Sequence, residues 1–125
     1  MTQLRQRGLR CRVRDRGAAT VLVVGLVAAL LVLTAGALVI ASAVVASHRA
    51  RVAGDLAALA GAAVLQDGAD GGRACTVAGR VARANGAALQ GCSSGDAIVT
   101  VLVSVDAALW PRPASARSRA GPEPS

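Results

Sequence analysis

Residues 17–47 form an unbroken run of 31 amino acids without a charged side chain, GAATVLVVGLVAALLVLTAGALVIASAVVAS, set between Arg16 and His48-Arg49. A helix crosses the ~30 Å hydrocarbon core of a bilayer with about 20 predominantly apolar residues, so this run is long enough to span one. Inside lipid every backbone N–H and C=O must find a partner within the segment, which makes a continuous helix its form. The valines favour strand in water, but the backbone requirement overrides that preference in a membrane. The other parts of the chain are placed relative to this transmembrane helix.

The flanks orient it. Six of the fourteen arginines lie in residues 1–16, against the single acid Asp15, whereas only Arg49 and Arg51 fall in the twenty residues after the run. The positive-inside rule therefore puts the basic leader 1–16 in the cytoplasm and the C-terminal region outside. The net charge of +7 is carried by arginine alone. The leader is a topology signal with an attraction for anionic headgroups. With no aromatic platform or recognition motif beside it, no nucleic-acid partner is expected. Cys11 lies on the reducing side as a free thiol. Arginine without lysine, in a chain rich in Ala, Gly and Val, points to a high-GC genome.

A basic leader followed by an apolar run also describes a cleavable secretory signal. A signal's apolar region is typically 7–15 residues, about half the length found here, which favours a retained anchor. The small-x-small triplet Ala41-Ser42-Ala43 keeps release near Ala43 as the alternative, with a secreted small binding protein as its product.

Helical spacing continues past the span. Residues 48–66, HRARVAGDLAALAGAAVLQ, place Val52, Leu56, Leu59, Ala60 and Ala63 on one apolar face, with Arg49, Arg51 and Asp55 free to face water. No proline interrupts residues 18–66, and one helix of that length would measure ~70 Å at 1.5 Å per residue. Small residues recur every seven positions, at Ala29, Gly36, Ala43, Ala50 and Ala57, a stripe that permits close packing against another helix.

Beyond it, residues 67–72 (DGADGG) form a turn, and residues 74–84 a short second helix with Val77, Val81 and Ala84 at i, i+4 and i+7. Asn85-Gly86 closes that helix. Residues 87–92 and 98–106, joined by a turn at 93–96, read as a β-hairpin. Val99, Val101, Val103 and Val105 alternate with Thr100, Leu102, Ser104 and Asp106. Such a hairpin must pack on a helix to be stable, so residues 67–106 form a small exterior domain. Residues 107–125 lose apolar periodicity and read as a disordered tail, with Trp110 capping the hairpin's apolar face. The fold class is thus membrane-anchored α+β. About 60 residues without Phe or Tyr make a thin core. Cys75 and Cys92, both outside, pair most simply as a disulfide that ties the second helix to the hairpin, stabilising by about 3 kcal/mol.

No catalytic constellation, phosphate loop, dinucleotide fingerprint or zinc spacing is visible. The single His48 has no ligand partner near it in sequence. Neither enzyme activity, cofactor, metal nor small-molecule substrate is expected.

The order of these features resembles the TadE-like proteins of actinobacteria, small pilin-like components of tight-adherence (Flp-type) pilus-assembly and secretion systems. The subgroup it most resembles lies in a helicase/secretion gene neighbourhood. The resemblance runs through RDRG (residues 14–17), AATVLVVGLVAAL, HRARVAGDLAALAGAA (48–63), Cys75, VARANGAAL (81–89), Cys92, the valine-rich strand and SRAGP (118–122). It implies a pilin-like layout and a minor, non-enzymatic, membrane-anchored component whose partners are lipid and other pilus or secretion-apparatus membrane proteins. Pilin-like relatives are cut by a prepilin peptidase after a Gly that follows the basic leader; Gly17 holds that position, and Ala18 would begin the mature chain. Those relatives carry Glu five residues into the mature chain, where this sequence has Leu22, which favours an accessory or initiating role over ordinary polymerisation.

Overall fold

The computed structural model describes the backbone of residues 3–123 and the side chains of residues 17–123. The elements run α1 (Gln3–Gln66), α2 (Gly71–Ala84), β1 (Ala88–Gly95), β2 (Ile98–Val105) and β3 (Ala114–Ala120), an α+β order. The chain divides into two compact units, Met1–Leu38 and Val39–Ser125, and α1 supplies residues to both. The reading of Cys11 as a cytoplasmic thiol falls outside the described side chains.

In the first unit the described part, from Gly17 on, is helix only, and all of its side chains are exposed. The stretch of α1 from Gly17 to Gln66 is long and apolar enough to cross a membrane.

The second unit is built around β2. Its valines alternate as the sequence predicts: Val99, Val101 and Val103 are fully buried and Val105 nearly so, while Ile98, Thr100, Leu102 and Ser104 are half-buried. Each buried valine contributes roughly 1.5–3 kcal/mol of transfer free energy. β1 and β3 flank β2 in an antiparallel sheet of order β1-β2-β3. The expected hairpin is therefore a three-stranded sheet, and the expected disordered tail contains its third strand. In β3, Ala114, Ala116, Ser118 and Ala120 pair with Val105, Val103, Val101 and Val99. Ser115, Arg117 and Arg119 fall on the opposite face and are exposed. The period of two is present in ASARSRA. It is written in small residues, because the space beneath that strand is taken by the valines beside it and the helix below it.

The helices end and begin on backbone chemistry. At the end of α1, Gly68 adopts φ 87°, its N–H donates to Leu65 O (3.0 Å), and Ala69 N–H donates to Val64 O (3.0 Å), the paired bonds of a Schellman cap. α2 starts three residues earlier than periodicity suggests. The Asp70 carboxylate accepts a 2.8 Å bond from the Arg73 N–H and so admits Gly71 and Gly72 to the first turn. The β1–β2 loop is shorter than expected. Gly95 pairs with Ile98, and Asp96 and Ala97 both take positive φ, 50° and 62°, as a two-residue type I′ turn requires.

The face of α1 that meets the sheet is the reverse of the one apolarity suggests. Ala46, Ala50, Ala53, Ala57, Ala58 and Ala62 are buried, whereas Val52, Leu56 and Leu59 are 44%, 43% and 60% exposed. The reason is volume. The valines already fill the layer between helix and sheet, so the helix must come in on its small side. A Cβ at Gly61 would meet Val99 Cγ1 at 3.1 Å and the Ala74 carbonyl of α2 at 3.2 Å. α2 contributes Ala74, Ala78 and Ala82 to the same core.

Candidate functional site

Cys75, in the second turn of α2, and Cys92, in β1, form a disulfide with Cα atoms 5.8 Å apart, a normal bridging separation. A register shift brings the second cysteine to the right face. Leu89 pairs with Val103 and Cys92 with Val101, so Gln90 is the extra residue of a bulge. Residues three apart in a regular strand face opposite ways. The bulge restores Leu89 and Cys92 to the core side, and the Gln90 amide donates outward to Ser104 Oγ at 2.8 Å.

The seven-residue stripe does not act as one surface. Ala50 and Ala57 are fully buried within the second unit and Ala43 is half-buried, while Ala29 and Gly36 are exposed. Its C-terminal members serve helix–sheet packing inside the chain, which corrects the assignment of the whole stripe to another helix. Gly17, Ala18 and Leu22 are exposed on α1.

Trp110, the single aromatic residue of the chain, does not cap the apolar face of the sheet. That face is covered by α1 and α2, and Trp110 is 45% exposed in the segment between β2 and β3. It closes a groove of about 460 Å³ along α1 that is lined by Ile40, Val44 and Ser47, then by His48 and Arg51. Ile40, Val44, Ser47 and Arg51 follow one another at three or four residues, as do Val44, His48 and Arg51, so they share one helix face. The groove is apolar at its Ile40 end and cationic at its Arg51 end. Sequence periodicity could not find it, because Trp110 reaches α1 only through the turn between two strands, one of them β3.

Among the described residues, no three His, Cys, Asp or Glu side chains come together as a metal would require. Every buried side-chain nitrogen or oxygen in the described part has a hydrogen-bond partner. No protein-family model matches the chain, and no curated protein or solved structure is similar to it.

Proposed function

We propose that this chain is a TadE-like, minor pilin-like component of a Flp-type pilus or secretion apparatus, anchored by one transmembrane helix with its N-terminus in the cytoplasm. It works as a structural subunit, through helix packing and a disulfide-linked exterior domain. The observation that carries the reading is the two-sidedness of α1 in the second unit. Its alanine side is consumed by the sheet, and its Val52-Leu56-Leu59 side is left uncovered. An exposed apolar stripe on a helix that continues a membrane-length run suits a subunit that packs beside other membrane helices. The sequence resemblance supplies the system in which those neighbours would be found.

A second reading, a small binding protein secreted after cleavage near Ala43, is favoured by a different observation. Every buried residue of the core lies at Ala46 or beyond, so a chain starting at Val44 would keep its whole core. Mass spectrometry of the mature N-terminus separates the two. A chain starting at Ala18 supports pilin-like processing, and an intact leader supports an unprocessed anchor. A start at Val44 in the soluble exported fraction overturns the anchored reading.

A further inference from the structure

We propose that the groove between α1 and Trp110 seats an anionic phospholipid at the outer membrane surface, with Trp110 as the chain's interfacial anchor. The inference rests on the membrane-anchored reading above. The groove sits at the boundary that the sequence defines. Ser47 is the last residue of the uncharged run, and Ile40 and Val44 belong to that run, whereas His48 and Arg51 follow it. From Ile40 to Arg51 is about 16 Å of helix at 1.5 Å per residue, comparable to the depth from the upper acyl chains to the headgroups. An acyl chain fits along Ile40 and Val44. A lipid phosphate would lie by His48 and Arg51, in the groove that Trp110 also lines.

Three further features favour lipid over water or protein as the occupant. Trp is the residue best suited to the membrane–water interface, apolar in its ring and polar at its N–H. The only aromatic residue in 125 is left half-exposed here, not spent on a core built of Ala and Val. Its neighbour Leu109 is 57% exposed, and Arg112 follows on the same exposed loop, which gives an apolar tip backed by a cation. The charges match as well. The polar end offers His48 and Arg51, and the first acid after the uncharged run, Asp55, comes a turn beyond Arg51. Neither His48 nor Arg51 is engaged by a hydrogen bond or ion pair among the described residues.

Because Trp110 is the chain's one tryptophan, its fluorescence reports the groove directly. The full chain is reconstituted in vesicles of zwitterionic and anionic phospholipid, with bromine carried on the acyl chains of one lipid class at a time. Flotation of the same samples tests the anchor separately. A chain that fails to float overturns the anchored reading itself. In floated samples, Trp110 emission should be blue-shifted and quenched by bromolipid. Quenching should favour the brominated anionic lipid by about fivefold, the effect of one arginine near a charged surface. Arg51→Gln should abolish that preference and Arg51→Lys should retain it, both with flotation unchanged. Trp110 that floats with the vesicles yet is quenched only by aqueous iodide overturns the lipid assignment. So does quenching without lipid preference in the wild type. Shielding from both quenchers that disappears on dilution in the bilayer gives the groove to a second copy of the chain and overturns it equally.

Discussion

Gly54 of α1 lies directly beneath Ser118 of β3: a Cβ built on Gly54 would stand 2.7 Å from Ser118 Oγ and 3.2 Å from Val103 Cγ2. This contact joins the long helix to a strand that composition alone assigns to a disordered tail. It also sets the helix–sheet separation, since any larger residue at position 54 must push the two apart. Gly54→Leu should lower the stability of the exterior domain by about 2–3 kcal/mol, the cost of overpacking a filled layer. The backbone amides of residues 114–120 should then exchange hydrogen faster in the variant. Slow exchange of alternate amides in the wild type, those that this edge strand directs at β2, and its loss in Gly54→Leu, would establish both the strand and the contact. A wild type in which none of the amides of residues 114–120 is protected would refute the third strand.

The disulfide offers a second measure. Cys75 and Cys92 are 17 residues apart, and closing a loop of that length stabilises by about 3 kcal/mol in the chain-entropy model. The core holds ten alanines, four valines and no aromatic ring, so this is a large share of what such a domain can muster. The double variant Cys75→Ser/Cys92→Ser should lose about that amount in chemical denaturation. The wild type under reducing conditions should match it. A wild type whose stability does not respond to reductant would mean that the bridge is absent or idle.

A stabilising change is expected at the β1–β2 turn. Ala97 holds φ 62° without the freedom of glycine, a conformation that costs an L-residue about 1–2 kcal/mol. Ala97→Gly relieves that strain, less the extra chain entropy that glycine brings to the unfolded state. The net gain should be about 0.5–1 kcal/mol, read as a higher denaturation midpoint at constant slope. A loss of stability would show that the turn is not of the I′ type.

Much of this architecture is legible in the residues, and the misreadings share one cause. The uncharged run, the second helix, the valine strand and the cysteine pair are each marked by a feature of their own: length, period, alternation or compartment. Strand β3 and the buried side of α1 are marked only by small size. In ASARSRA the inward residues are Ala and Ser, and on α1 the inward residues are Ala and Gly. Reading periodicity through apolarity therefore selects Val52, Leu56 and Leu59, while the small-residue stripe picks out Ala50 and Ala57 but gives them to another helix, and Gly54 falls in neither. Where a β-sheet already supplies the large side chains, the helix is chosen for what it lacks. Trp110 escapes for a related reason, since its place beside Ser47 depends on the return of the chain through β3.

That inversion gives the sharpest test of how the chain is used. If the alanine side of α1 is internal and the leucine side faces a partner, substitutions on the two should separate stability from assembly. Ala57→Leu inserts a large side chain at a fully buried position and should destabilise the domain by roughly 1–3 kcal/mol. Leu56→Ser/Leu59→Ser alters only exposed positions and should change stability by no more than about 0.5 kcal/mol per site. In membranes the ranking should reverse for contacts between chains. A cysteine placed at Leu59 should crosslink to neighbouring membrane proteins, and the crosslinks should fall away when Leu56 is also replaced by Ser. A cysteine at Ala57 should give none, because the sheet covers it. Crosslinking from Ala57 in the folded protein, or a collapse of stability in Leu56→Ser/Leu59→Ser, would mean that the helix is docked on its other side and that no apolar stripe is left to meet a partner.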